Sequence, residues 1–140
     1  MPMTTLVCLL ALTACEPDKS AVPEVHALLV THLEFMEQDR EKIADAAIKM
    51  LSSCSPPCSS TEEDFESIRR LCHLHVKFAK PREVKLGGTD KVKVDELIVR
   101  FPSNTGRIVV RTDKDYFSYT KYQCEHVKAL HELLKAGKPQ

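Results

Sequence analysis

The sequence predicts one domain of the α+β class, with two N-terminal helices, a three- to four-stranded antiparallel meander and one C-terminal helix. Three observations indicate this fold class. Apolar side chains recur at three- and four-residue steps before Pro81, they alternate with polar ones after it, and helical spacing returns near the end of the chain. This order of elements is typical of domains whose helices lie on one face of a small sheet. A chain of 140 residues suits one such domain.

The first predicted helix runs from about residue 20 to residue 51. Pro23 suits its first turn, because proline needs no hydrogen-bond acceptor there. Arg40 interrupts the apolar face, so the helix is expected to bend, break or pair a charge at this point. The face itself is formed by Val22, Val25, Leu29, Leu33, Met36, Ile43, Ala47 and Met50.

The second predicted helix begins near Thr61, after a turn that contains two consecutive prolines. Thr61 with Asp64, or Ser60 with Glu63, has the spacing of a capping box. The helix is expected to pack antiparallel on the first one. Its apolar stripe is Phe65, Ile68, Cys72 and Val76.

The strands of the meander follow Pro81. A short strand is predicted around Val84, and a longer one extends to Phe101 with a bulge or break at Asp95-Glu96, where the alternation shifts by one residue. Pro102 to Gly106 is a hairpin loop by composition. The remaining strands are Arg107–Thr112 and Tyr116–Tyr122, and the last helix spans about 123–136 with Val127, Leu130 and Leu134 facing the core.

The N-terminus carries a targeting pattern. An apolar run from Leu6 to Leu12 is followed by the small residues Thr13 and Ala14 and then by Cys15. This stretch resembles the lipobox of bacterial lipoproteins. The resemblance implies a signal peptide over residues 1–14, a lipid on Cys15 that anchors the protein in a membrane, a polar tether over 15–21 and one domain over 22–140, on the periplasmic side of the cell envelope. An ordinary cleaved signal peptide and a cytoplasmic protein are the alternatives.

The cysteine count agrees with an oxidising compartment. Of six cysteines, Cys8 leaves with the signal peptide and Cys15 receives the lipid, so an even number remains in the domain. Disulfides between Cys54 and Cys58 and between Cys72 and Cys124 are the preferred pairing of the three possible ones. In a cytoplasmic protein the same four residues are expected to be reduced thiols.

Candidate chemistry is sparse. Cys72, His75, Cys124 and His126 form the one conceivable zinc-binding set, if the two helices that carry them touch. The chain contains no GxSxG motif, and three residues rather than two separate Cys54 from Cys58, unlike thiol oxidoreductases. The carboxylate pair Asp95-Glu96 is interpreted as a surface feature. No catalytic residue and no cofactor are predicted.

Composition and charge narrow the classes of function. Twenty basic residues balance twenty acidic ones, which gives no indication of nucleic-acid binding, and the chain has no tryptophan for an aromatic platform. We therefore expect a non-catalytic envelope lipoprotein that binds a protein partner, such as an inhibitor or immunity-type protein, and membrane lipid through Cys15. A metal-binding or thiol-redox protein is the alternative from another class.

Overall fold

The computed structural model describes residues 21–85, 91–101, 106–120 and 124–140, together with the backbone but not the side chain of Cys124. The lipobox, Cys15 and the predicted tether up to residue 20 lie outside the described residues, as does most of the predicted hairpin loop. Eight strands and three helices occur in the described ranges: β1 Glu24–Leu28, β2 His32–Glu34, α1 Glu37–Ser52, β3 Cys58–Ser60, α2 Glu62–Leu71, β4 Leu74–Lys85, β5 Lys91–Arg100, β6 Arg107–Thr112, β7 Tyr116–Tyr119, α3 Cys124–Leu134 and β8 Lys138–Pro139. Within those ranges, no helix has the length and apolar character needed to cross a bilayer.

All eight strands form one antiparallel sheet in the order β3-β7-β6-β5-β4-β1-β2-β8. The strands β4 to β7 are consecutive neighbours, but they make only half of the sheet. The predicted arrangement of two N-terminal helices, a short meander and a last helix is therefore wrong. The helices are instead interspersed among the strands.

The clearest error concerns the first predicted helix, whose N-terminal half is the hairpin of β1 and β2. In β1 the side chains of Val25 and Ala27 are buried and their neighbours are exposed, which is the period of a strand. Val25, Leu29 and Leu33 are four residues apart, and a step of four fits both the helical repeat and the alternation of a strand. The break anticipated near Arg40 falls just before it, because α1 begins at Glu37.

The second predicted helix begins at the expected position but is shorter than predicted. Thr61 and Asp64 form a capping box: the backbone N–H of Asp64 donates to the Thr61 hydroxyl at 3.2 Å, and the N–H of Thr61 donates to the Asp64 carboxylate at 3.3 Å. The helix stops at Leu71, and Val76 belongs to β4. Pro81 lies inside β4, where the pairing with β5 is interrupted between Lys77 and Arg82, so its missing N–H leaves no gap in the ladder.

The helices cover both faces of the sheet rather than one. Helices α1 and α3 lie on one face, the α1/α3 face, and bury the main core there. Helix α2 lies on the other, the α2 face, where Phe65, Ile68 and Cys72 pack against Ile98 of β5 and Val109 of β6. Central strands covered on both faces have consecutive buried residues rather than alternating ones, as Leu97-Ile98-Val99 shows.

The shift of phase in β5 is confirmed as an irregularity of the ladder. Val94 pairs with Thr112 of β6, but Glu96 pairs with the preceding Arg111, so Asp95 is an extra residue between them. Val94 and Leu97 consequently both face the α1/α3 core. Glu96 is turned to the α2 face, away from this core.

Candidate functional site

The α2 face carries a row of ionisable side chains across four neighbouring strands. The register places His26 of β1 opposite His75 of β4, and it places Glu96 of β5 opposite Arg111 of β6. Alternate residues of a strand share a face, so all four side chains are on the same side of the sheet. Helix α2 packs on β5 and β6, whereas the His26 side chain remains 50 % exposed on β1. The row therefore runs from the covered half of the α2 face into its open half.

Glu96 is the fixed point of this row, and only 1 % of it is exposed. Its Oε2 accepts a hydrogen bond from Nε2 of His75 at 3.2 Å, and its Oε1 forms an ion pair with Nη2 of Arg111 at 3.0 Å. Burial raises the pKa of Glu96, but the hydrogen bond from His75 and the charges of Arg111, His75 and Arg69 outweigh it and hold the pKa below its usual value. The carboxylate is therefore ionised, and Nε2 of His75 carries the proton of the hydrogen bond.

The irregularity at Asp95 brings a second carboxylate to the same arginine. Oδ2 of Asp95 lies 3.9 Å from Nε of Arg111, too far for a hydrogen bond. That Nε is buried and has no hydrogen-bond partner among the described residues. Arg111 therefore binds Glu96 through Nη2, and its Nε–H remains a hydrogen-bond donor without an acceptor among the described residues.

Toward the edge of the sheet the row consists of three imidazole rings, because His32 of β2 follows His26 and His75. The rings of His32 and His26 are stacked with centroids 5.9 Å apart, and the centroid of His75 lies 6.3 Å from that of His26. We call the part of the α2 face that carries these three residues on β2, β1 and β4 the histidine face; His26 is exposed on it, His32 is half-buried and His75 is buried at 8 % exposure. Because Glu96 fixes His75, the innermost ring of the series has a set orientation.

A cleft of about 400 Å³ adjoins the histidine face. Its polar lining offers two imidazoles, two carboxylates, a guanidinium and an amide, and its apolar lining comes from β1, from β2 and from the residue that follows β2. The lining residues are Glu24, Val25, His26, His32, Leu33, Glu34, Phe35, Arg40 and Gln140. The set includes no hydroxyl or thiol that a histidine could activate as a nucleophile. The imidazoles, carboxylates and guanidinium of the lining can form hydrogen bonds and recognise charged groups.

The residues proposed for zinc do not come together in the part of the chain that the structure describes. Cys72 and His75 both belong to the α2 face. His126 lines a groove between α1 and α3 with Lys42 and Asp45, on the opposite side of the sheet. No cluster of three or more potential metal ligands occurs among the described residues.

Three of the four cysteines assigned to disulfides are free thiols in the structure: Cys54, Cys58 and Cys72. Burial raises the pKa of the Cys54 thiol to about 11, and its S–H donates to the carbonyl of Met50 at 3.2 Å. Burial also raises the pKa of Cys72, while Cys58 is exposed on β3. Cys124 begins a helix of the α1/α3 face, whereas Cys72 lies on the α2 face. The pairing remains a prediction for the oxidised protein, and the lipidation of Cys15 lies outside the described residues.

The ion pair between the buried Glu96 and the partly exposed Arg111 was not predicted from the sequence. The signal was present, because Glu96 stands directly before a run of apolar residues that begins at Leu97 and lies in a strand with a phase shift. An acidic residue inside such a run needs a partner, and a basic residue on the next strand, Arg111, supplies it.

No family model, curated protein or solved structure matches this chain. Its function therefore has to be inferred from the residues of the site.

Proposed function

We propose that this protein is a lipid-anchored envelope protein that binds a protein partner through the histidine face and catalyses no reaction. The observation that carries the proposal is the imidazole row His32–His26–His75, held from behind by the buried Glu96 and its partly exposed partner Arg111. The partner is a protein segment whose carboxylate or carbonyl oxygens accept hydrogen bonds from the exposed imidazoles.

The buried Glu96 argues against an ordinary solvated sheet face. An antiparallel sheet exposed on one side needs only polar outward residues. Burying an ionised carboxylate costs free energy that partners merely offset, so stability alone does not explain Glu96. Fixing the buried ring of His75 behind the exposed His26 and the half-buried His32 does provide an explanation, because donors that pack against a fixed ring lose less entropy on binding.

Binding rather than catalysis is favoured by the composition of the cleft. Two histidines stand beside two carboxylates and a guanidinium, but the lining has no hydroxyl or thiol for them to activate. Such a mixture of positive charges, negative charges and hydrogen-bond donors is typical of the polar parts of protein interfaces.

The membrane anchor rests on the lipobox-like residues that end at Cys15. Cys15 precedes the first strand, which begins at Glu24, by nine residues. The histidine face is built on the strands that follow this short connection, so the anchor holds the binding surface close to the membrane.

The test of the proposal compares two faces of the same molecule. Crosslinked complexes are isolated from native envelopes with an antibody, because a C-terminal tag would obstruct Gln140 in the cleft. For the double variant His26→Ala/His32→Ala we expect capture of the partner to fall roughly tenfold, which corresponds to about 1.4 kcal/mol. The matched control is His126→Ala, which removes an imidazole from the opposite side of the sheet. Equal capture by the double variant and the wild type would contradict the proposal.

Intact mass of the protein from the same membranes tests the anchor separately. A chain that begins at Cys15 and carries acyl mass supports it, and a chain with an unmodified Met1 contradicts it.

A further inference from the structure

Four exposed apolar side chains belong to two segments at one end of the histidine face. Leu28, Leu29 and Val30, at the turn between β1 and β2, are 42 %, 41 % and 100 % exposed, and Leu71 at the end of α2 is 58 % exposed. We call these four residues the apolar tip. Few monomeric domains leave large aliphatic residues grouped in this way unless the group binds something.

The turn is held in place by hydrogen bonds to the chain that follows α2. The backbone N–H of Leu28 donates to the carbonyl of His73 at 2.8 Å. Nδ1 of His73 lies 2.9 Å from the carbonyl oxygen of Leu28, an acceptor, so this ring nitrogen is the donor. The two parts of the apolar tip are therefore fixed relative to each other, and the tip projects as a defined surface.

Charged side chains of both signs lie beside Leu71, whereas the turn between β1 and β2 has none. Arg69 and Arg70 occupy the last turn of α2, next to Leu71. Arg69 pairs with Glu66 at 3.6 Å, and Arg70 and Leu71 line a cleft with Glu63, Asp64 and Glu66. The acidic residues of the hairpin, Glu24 and Glu34, lie at the far ends of β1 and β2. The turn itself is therefore an uncharged apolar projection, which suits insertion into the interfacial region of a bilayer.

The length of chain before β1 allows the apolar tip to reach the membrane. Ala21, Val22 and Pro23 are buried or half-buried in the domain, so the six residues from Cys15 to Ala21 make the connection to the anchor, and they span at most roughly 20 Å. Strand β1 places Leu28 about 14 Å from Glu24. A protein anchored at Cys15 can therefore stand with this end of the sheet against the bilayer, since the connection is comparable in length to the distance it has to cover.

We propose that the apolar tip inserts into the interfacial region of the bilayer that holds the Cys15 lipid. This inference rests on the anchor in the proposed function and adds a second, non-covalent attachment to it. Two attachments fix the tilt of the domain, whereas a single attachment point does not. The histidine face then stands at a constant height and angle above the membrane, ready for a partner in the same envelope.

The test uses the absence of tryptophan from the sequence. Val30→Trp places the sole tryptophan of the chain on the apolar tip. Lys114→Trp is the matched control, because this exposed residue lies in the turn between β6 and β7, at the opposite end of the sheet. Each full-length lipoprotein is purified from membranes and reconstituted into phosphatidylglycerol-containing vesicles whose acyl chains are brominated. We expect blue-shifted emission and several-fold quenching at position 30, and water-like, unquenched emission at position 114.

Each other outcome overturns the inference. Unquenched Val30→Trp in a protein with an acylated Cys15 removes the insertion and leaves the anchor intact. Quenching at both positions shows that the domain has no preferred orientation, and a blue shift at position 30 without quenching indicates contact with protein rather than lipid. A missing acyl group in the mass spectrum removes the anchor itself, so the two proposals fail in distinguishable ways.

Discussion

At the scale of single residues, Glu96 determines the chemistry of the α2 face. Each of its carboxylate oxygens has a different partner, His75 on one side and Arg111 on the other. The arrangement depends on the extra residue Asp95, which turns Glu96 away from the core that Val94 and Leu97 share. A change of one residue in the register of β5 would therefore exchange a buried ion pair for a buried apolar contact.

Glu96→Gln is expected to destabilise the protein by about 2–3 kcal/mol. The neutral amide leaves the guanidinium of Arg111 without its ion pair. The loss stays below the range for a fully buried pair because the Arg111 side chain is 36 % exposed and Asp95 is near. Urea unfolding at constant m-value measures the change. Glu83→Gln, at an exposed position of β4, is the control, and an equal effect in both variants would contradict this account.

The same carboxylate makes stability depend on pH. The pKa of Glu96 is lower in the folded protein than its usual value of 4.5. A group with a lowered pKa stabilises the fold above its unfolded pKa, and this contribution is lost as the pH falls through the folded pKa. We therefore expect the free energy of unfolding to decrease below about pH 4.5, and to decrease less in Glu96→Gln. Urea midpoints measured on both sides of this pH test the difference. Parallel pH profiles for the two proteins would show that other groups cause it.

At the scale of elements, the sequence predicted what local signals specify. The start of α2 follows from the Thr61 capping box, the irregularity of β5 from a shift in alternation, and the inward face of α3 from Leu130 and Leu134. The hairpin of β1 and β2 was not predictable in this way, because a four-residue step satisfies both periods. The start of β4 was missed because its residues become strand through pairing with β1 and β5, which are distant in sequence.

Thr61→Ala is expected to lower stability by about 1 kcal/mol, since the first turn of α2 loses the acceptor for the backbone N–H of Asp64. Thr61→Ser keeps the hydroxyl and should restore most of the loss. Thr31→Ala makes the same chemical change in the exposed turn after β1 and serves as the control. Thermal unfolding compares the three variants with the wild type. A melting temperature of Thr61→Ala equal to that of Thr31→Ala would show that the capping box contributes nothing.

At the scale of the whole molecule, the two ends of the described chain meet beside the candidate site. Strand β8 pairs with β2 through Leu33 with Pro139 and Glu34 with Lys138. The backbone N–H of Gln140 donates to the carbonyl of His32 at 3.0 Å. The histidine face therefore needs the complete fold, because its edge is closed by the last residues of the chain. No local pattern of the sequence could have indicated a site assembled from β2, β1, β4, β5 and β6.

Gly137 is the residue that allows this closure. A Cβ at this position would lie 2.6 Å from Cε1 of Phe35 and 3.0 Å from Cβ of Leu33. The ring of Phe35 can turn away, but the Cβ of Leu33 is fixed to β2, so Gly137→Ala must displace β8 or the hairpin. We expect a loss of about 1–3 kcal/mol in the free energy of unfolding.

Partner capture should fall further in Gly137→Ala than stability alone explains, because Phe35 and Gln140 both line the cleft. Hydrogen exchange of β1 and β2 reports the displacement, and crosslinking in envelopes reports the binding. Ala136→Ser, at the exposed neighbouring position, adds an atom of similar size and is the control. If Gly137→Ala loosens the hairpin while capture is unchanged, the cleft is not part of the binding surface. If both fall together, closure of the sheet by the C-terminus is a condition for binding.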